Sequence, residues 1–483
     1  MASSYQAEEN QLPLKPIPGS YGLPFFGALR ARFDYFYLQG QDDFFLTQIK
    51  KHKSTVFRTT MPPGPFIASN PRVVAVLDAV SFPILFDTSK VEKRNVLDGT
   101  FMPSTSFTGG YRVCAYLDPS ESNHSSLKSF LFSLLASKHH SFIPLFRSCL
   151  SEFFTELEDQ LSDSNSAKFN SLSDKMSFNF VFQLFCDKKP SDTPLGSNGP
   201  EHFDLWLFFQ LAPLITLGLP KFLSLLEDCV LHWFPLPWFV VKSRYNELYD
   251  AFYSSLGSSL DEAENKFGIE RAEACHNLVF MAGFNAYGGM KAWFPTLIKW
   301  VGSAGSELHR QLREEIRTVV KEEGGVTLAA LKRMELTKSV VYEAMRIEPP
   351  VPFQYGKAKE DIVVQSHDAA FKIKKGEMIF GYQPLATKDP RVFDRAEEFV
   401  GHRFVGEGKK LLKYVYWSNG RETEDPTAEN KQCPGKDLML LMSRVLLVEF
   451  FLRYDTFTLE AGKVLLGSSV TIKSLTKPNS ATP

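Results

Sequence analysis

Cys433 lies in Asn430-Lys431-Gln432-Cys433-Pro434-Gly435-Lys436, directly before an apolar stretch of helical periodicity that begins at Leu438. Helix-terminal N–H groups and two neighbouring lysines would stabilise a thiolate there, and a thiolate can ligate iron. A lone cysteine in a large chain is more often structural, so the residue needs its context. Part of that context is Glu343-Ala344-Met345-Arg346, whose i, i+3 spacing puts an acid and a base on one helical face. A surface ion pair is the ordinary reading of such a pair. Arg403 follows in Phe399-Val400-Gly401-His402-Arg403-Phe404, and His124 and Lys128, four apart, project from one helix turn.

The elements that must position these residues are mostly helices. Helical periodicity dominates from Ser125 to Lys321, and Glu273 to Trp300 reads as one long apolar helix perturbed by Gly288, Gly289 and Pro295. Short β-patterned pieces follow at Asp361 to Val364, Phe371 to Ile373 and Glu377 to Phe380, then a final apolar helix from Leu438 to Tyr454. The fold class is mainly α with a small β-region. Residues 1–20 form an extended lead punctuated by Pro13, Pro16 and Pro18, and 21–483 read as a single domain, since no Gly/Ser linker or charge run divides them.

Forty-three Phe and a 13% aromatic content supply a large core and the lining for a lipid pocket. Lys plus Arg (54) nearly cancel Asp plus Glu (55), which leaves no electrostatic footprint for nucleic acid. Six scattered cysteines without a C-x-x-C pair argue against a disulfide framework or a zinc site and fit a reducing compartment. Met1 to Leu12 carries Glu8 and Glu9 and no apolar stretch, so no signal sequence, membrane anchor or transit peptide is expected, and the expected location is cytoplasmic. The greasiest tract, Leu205 to Val241, is interrupted by charged residues and prolines; it cannot make an apolar span of ~20 residues but could touch a bilayer or lipid body from one side.

Taken in order, the E-x-x-R pair, the second Arg in its F-x-x-x-R-F setting and the loop ending in Cys-x-Gly before a buried helix resemble the Glu/Arg/Arg core and cysteine loop of the cytochrome P-450 superfamily. From Pro16 onward the chain is similar to that superfamily's plant fatty-acid-hydroperoxide branch: allene oxide synthases, hydroperoxide lyases, divinyl ether synthases and epoxyalcohol synthases. The matching stretches are Leu14-Lys15-Pro16-Ile17-Pro18-Gly19, Met61-Pro62-Pro63-Gly64-Pro65-Phe66, Gln354-Tyr355-Gly356-Lys357 and Trp417-Ser418-Asn419-Gly420. The resemblance implies a cytochrome P-450 fold and haem b, with Cys433 as the axial iron ligand and Lys93, His124, Lys128 and Lys431 on the haem propionates. It implies structural roles for Glu343, Arg346 and Arg403, and substrate contacts for Asn285, Lys291 and Leu97.

The departures from an ordinary monooxygenase matter as much. Trp417 stands for the usual Phe, Lys431 for the propionate-pairing Arg, and Arg421 to Glu429 is inserted on the proximal side, where it would hinder a reductase. In Gly283-Phe284-Asn285-Ala286, Asn and Ala replace the acid and hydroxyl that relay protons to iron-bound oxygen. An Asn amide both donates and accepts, so Asn285 is the expected catalytic residue, binding a peroxide and steering the radical left after O–O homolysis. A fatty-acid hydroperoxide would then be the substrate, with no O2, NADPH or reductase. The expected activity is that of a 9/13-hydroperoxide lyase, giving aldehydes and oxo-acids, because Leu97 stands where dehydrase members tend to place Phe. An allene oxide synthase or epoxyalcohol synthase is the alternative within the branch. An NADPH-dependent monooxygenase and a non-catalytic haem sensor are the alternatives outside it.

Overall fold

The computed structural model describes residues 12–97, 99–464 and 467–478. The reading of the N-terminal residues as free of signal and anchor therefore rests on positions that lie, up to residue 11, outside the described ones. Helices dominate and small sheets flank them.

Three segments, Arg271–Phe280, Met281–Tyr287 and Gly288–Ser303, run end to end as one central helix. The sequence placed its irregularity at Gly288, Gly289 and Pro295. The structure places it one turn earlier, where Met281–Tyr287 widens into a π-helical turn. Helix Gly199–Leu211 crosses closely at this point: a Cβ on Gly283 would come within 2.4 Å of the Phe203 ring. Pro295 is buried inside the helix and does not end it. The same helix packs on the C-terminal helix Lys436–Arg453, where the Trp293 indole donates to Ser443 Oγ at 2.7 Å. Both belong to the largest apolar cluster of the protein.

The main sheet has five strands in the spatial order Val56–Thr60, Arg72–Val76, Met378–Tyr382, Phe353–Ala358 and Val91–Glu92. The three predicted β pieces are seen as Ile362–Gln365, Ala370–Ile373 and Met378–Tyr382. Leu14–Lys15 of the lead segment pairs in parallel with the second of them. A hairpin of Thr456–Lys463 and Ser468–Thr476 was not predicted, because most of its first strand is exposed and polar and lacks an apolar alternation.

Leu205 to Val241 is broken into short pieces, among them helix Ser224–His232 and single 3-10 turns. No helix among the described residues is long and apolar enough to cross a membrane. The tract instead leaves Phe222 84% and Phe239 73% exposed, together with Leu225, Leu226, Val230 and Phe234. Trp233 meets Phe66 at 4.5 Å between ring centres, and Phe66 meets Phe25 at 5.3 Å, which extends the apolar surface onto the start of helix Phe26–Phe33. Underneath, the fully buried Arg32 guanidinium grips Asp228 at 2.6 Å, and Asp228 also bonds His232 and the Trp233 indole.

Candidate active site

Cys433 is delivered by a loop with its own internal bracing. Trp417 and Gly420 exchange backbone hydrogen bonds of 2.8 and 3.1 Å across Ser418 and Asn419, both at positive φ, and the Cys433 N–H reaches the Ser418 carbonyl at 3.3 Å. Gly420 is held to a small residue by Gln432, whose side chain would lie 2.6 Å from any Cβ there. The Cys433 carbonyl then accepts from Lys436 N–H, which opens helix Lys436–Arg453. Burial pushes the thiol up, whereas the Gly435 N–H, the Lys128 charge and the Trp417 indole favour the thiolate. The two lysines nearest in sequence act elsewhere. Lys431 Nζ donates to the carbonyls of Cys114, Ala115 and Leu117, and Lys436 Nζ to those of Glu422 and Glu424.

Beside this loop the chain gathers cations at a cost. His124 and Lys128 are both buried on helix Ser122–Lys138. Lys93 donates to Gln354 Oε1 and Asn419 Oδ1, and Lys128 to the Asn430 carbonyl and Oδ1. Burial, and next the charge of Lys431, lower Lys93 to about 7. Burial with the charges of Lys431 and Lys128 lowers His124 to about 4, and burial lowers Lys128 to about 8. His124 Nδ1 is buried without a hydrogen-bond partner. Mutually repelling, desolvated lysines beside a histidine with an unpartnered ring nitrogen suit a ligand that brings its own carboxylates. A haem with two propionates is such a ligand, so these residues fit the group the fold implies.

Glu343 and Arg346 are wholly buried, which overturns the surface-pair reading. Arg346 makes two bonds to Glu343, of 2.7 and 2.8 Å, and Arg403 Nε adds two more at 2.9 Å. The remaining guanidinium hydrogens go to the carbonyls of Thr387, Asp394, Arg395, Ala396 and Glu398, and both guanidiniums lie against the Phe393 ring. The triad pins helix Glu335–Ile347 to the segment that leads into the cysteine loop.

Asn285 sits in the π-helical turn with an accessible side chain among buried Ala282, Gly283 and Tyr287. Phe284 beside it stacks on Phe280 at 4.7 Å. A Cβ on Gly289, one turn on, would lie 3.7 Å from Met439 of the helix that follows the cysteine loop, so the two helices meet here. Leu97 is partly buried, leans on the main core and donates its N–H to the Phe101 carbonyl at 3.1 Å. Lys291 stands apart. It is clamped by Asp174 and, at 3.1 Å, by Asp204, on the wall of a cavity of about 500 Å³. Sequence reasoning missed both acids, since they lie on two other helices and carry no motif; Asn419 was within a quoted stretch, yet its role toward Lys93 shows only in three dimensions.

Residues 241–480 match the Cytochrome P450 family model. Along its whole length the chain is 58% identical to "Allene oxide synthase 3" of Solanum lycopersicum, covering 97% of this chain and 96% of the relative. It is 55% identical to "Allene oxide synthase 1, chloroplastic" of the same plant, over 98% of this chain and 88% of the relative. The retinoic acid-bound cyanobacterial CYP120A1 superposes with a TM-score of 0.68 at 17% identity, covering 97% of this chain and all of that one, which shows the fold. These relatives correct the lyase expectation. It rested on Leu97, whose packing against the core is a task for any aliphatic residue, and one such side chain does not outweigh 55–58% identity to allene oxide synthases along nearly the full chain. The chain belongs to the plant fatty-acid-hydroperoxide branch of the cytochrome P450 family, whose cofactor is a haem with a cysteine thiolate on its iron.

Proposed function

We propose that the protein is an allene oxide synthase, a hydroperoxide dehydratase that removes water from 9- or 13-hydroperoxides of linoleic and linolenic acid to leave an allene oxide. The observation that carries this reading is the 58% identity to an allene oxide synthase over essentially the full chain. Bound haem supplies homolysis of the O–O bond, favoured by electron donation from its thiolate. Cys433 would be the ligand, and Lys93, His124 and Lys128 would hold the propionates; Lys431, expected with them, spends its ammonium on the carbonyls of Cys114, Ala115 and Leu117. Asn285 orients the hydroperoxide by donating from its amide, and the apolar Ala286 beside it leaves no acid–hydroxyl relay for oxygen activation. Residues 21–483 serve as one haem domain, and turnover needs no NADPH or reductase. The apolar surface formed by the 217–240 tract, Phe25, Phe26 and Phe66 supports peripheral contact with lipid. The relative named chloroplastic supports a plastid location in place of the cytoplasmic one expected from the sequence.

The test is to mix haem-loaded protein with 9- and 13-hydroperoxides of both acids without NADPH and identify products by mass spectrometry. Ketols, the hydrolysis products of an allene oxide, are expected. Epoxyalcohols as the main product, or a requirement for NADPH, would overturn the assignment.

A further inference from the structure

Two stripes of aromatic residues at i, i+4 spacing meet beside the candidate site. Tyr245, Tyr249 and Tyr253 follow one another on helix Lys242–Ser255, and His276, Phe280 and Phe284 on the central helix, with Asn285 directly after the last. Trp206, fully buried on helix Gly199–Leu211, joins them: its indole lies 5.9 Å from the Phe280 ring and stacks on Tyr245 at 5.7 Å. The Tyr245 ring lies parallel to His276 at 5.8 Å, Tyr249 stacks on His276 at 4.3 Å, and Tyr253 stacks on Tyr249 at 5.6 Å. Exposure rises along this row, from Tyr245 at 1% through half-buried Tyr249 to Tyr253 at 37%. At the inner end Phe280 stacks on Phe284 at 4.7 Å and meets Tyr116 at 5.6 Å. The carbonyls on either side of Tyr116 are held by Lys431, two residues before Cys433.

Buried aromatic rings in contact are ordinary core packing. Packing alone does not call for rings of this chemistry in this order. Trp and Tyr are the aromatic side chains that give up an electron most readily, and a buried phenol does so only when its proton has somewhere to go. The Tyr116 hydroxyl is buried without a partner, so that residue is a poor electron donor. Tyr245 is a good one: its hydroxyl shares a 2.7 Å hydrogen bond with His276 Nδ1, and burial keeps that imidazole neutral and able to take a proton. Trp206 can be oxidised without losing its proton, because its indole N–H stays on the Phe107 carbonyl at 2.9 Å. Phe280 and Phe284 are too hard to oxidise and serve as a packed bridge between Trp206 and the turn that carries Asn285.

We propose that Trp206, Tyr245 with His276, Tyr249 and Tyr253 form a path that carries a stranded oxidising equivalent from the haem site to the surface, where a dissolved thiol or ascorbate removes it. The proposal goes beyond the dehydratase reading and takes from it only the source of the oxidant. Homolysis of the O–O bond leaves one oxidising equivalent at the haem site and one on the substrate radical. When that radical gives its electron back, dehydration is complete; when it escapes, the equivalent at the haem site is stranded. Trp206 then supplies one electron, and with one proton from solvent the cleaved oxygen leaves as water. Tyr245 reduces the Trp206 radical cation and passes its hydroxyl proton to His276 Nδ1. Tyr249 reduces the Tyr245 radical, the proton returns from Nδ1, and Tyr253 reduces Tyr249 in turn, the outer phenols exchanging their protons with water. The Tyr253 radical takes a hydrogen atom from the thiol or ascorbate, which restores the protein.

The experiment mixes haem-loaded enzyme with 13-hydroperoxylinolenic acid, or separately with peracetic acid, in the absence of reductant. It reads protein radicals by freeze-quench EPR, their position by spin-trap adducts mapped on digested peptides, and the total turnovers before inactivation. The unmodified enzyme should give a tyrosyl radical and an adduct on Tyr253, and ascorbate should abolish both and extend the turnovers. In Trp206→Phe and in Tyr245→Phe, which each keep an aromatic ring in place, the Tyr253 adduct should be lost. Total turnovers should fall and ascorbate should no longer extend them, while the initial kcat and the haem spectrum stay as they were. A Tyr253 adduct that survives either substitution, or no protein radical with either oxidant, overturns the proposal. Should Trp206→Phe fail to load haem, Tyr245→Phe decides alone. If the fatty-acid hydroperoxide is not consumed while peracetic acid still marks Tyr253, the hydroperoxide reading has failed and the path stands.

Discussion

At the scale of single residues, two side chains separate haem binding from chemistry. Cys433→Ala should remove the thiolate signature from the haem spectrum, and its persistence would show that another group holds the iron. Asn285→Ala should leave that signature intact and lower kcat by about 10²-fold or more, the size of removing one preorganised hydrogen-bond donor from a reacting centre. A spectrum that changed along with kcat would instead mean that Asn285 supports the haem pocket. Cys433 and Asn285 could be singled out as candidates in the sequence because each sits in a short motif. The Asp174–Lys291–Asp204 cluster could not, since its members are 30 and 87 positions apart in the chain and meet only through helix packing.

At the scale of elements, the buried triad ties helix Glu335–Ile347 to the approach to the cysteine loop. Glu343→Gln leaves two buried guanidiniums without their counter-charge, and breaking such a pair costs about 3–5 kcal/mol. The variant should unfold at a markedly lower denaturant concentration, or fail to retain haem, and unaltered stability would show the triad to be expendable. The apolar tract makes a different demand. Short helices and 3-10 turns between Leu211 and Val241 present Phe222 and Phe239 outward, and helix Ser224–His232 among them is anchored from beneath through Asp228 and Arg32. Replacing both Phe222 and Phe239 with Ser should reduce co-flotation with phospholipid vesicles while leaving turnover of dissolved hydroperoxide unchanged. Flotation at the original level would remove this surface as the lipid contact. The sequence marked the tract as unable to span a bilayer; it could not show which of its residues face out, because the pieces are too short for a helical period to declare itself.

At the scale of the molecule, acid stability follows from buried bases. His276 is held between Tyr245 and Tyr249, shares a 2.7 Å hydrogen bond with the Tyr245 hydroxyl through Nδ1, and stands where a Cβ on Gly109 would collide with its ring. Burial lowers it to about 4, below the ordinary histidine value. Between those two values the unfolded chain binds the proton and the folded one does not. Stability is therefore full above about pH 6.5 and is lost as pH falls toward 4. His276→Phe, which keeps the ring in place, should flatten the fall in unfolding free energy between pH 7 and 5, measured by urea titration. An equally steep fall would assign it to other groups.

The sequence by itself determined the family, the helical character, the long central helix and the cysteine loop, because periodicity and short motifs are written in neighbouring residues. It could not locate the π-helical turn, whose position depends on Phe203 of a helix about 80 residues earlier reaching Gly283. Nor could it show that Glu343 and Arg346 are buried, since their spacing is the same on a surface helix. Tertiary structure alone decided which lysines serve which partners: Lys436 is next to the cysteine loop in sequence yet spends its charge on Glu422 and Glu424 carbonyls, while Lys128, some 300 residues away, favours the thiolate. Charge acts through space, and only the folded chain sets those distances.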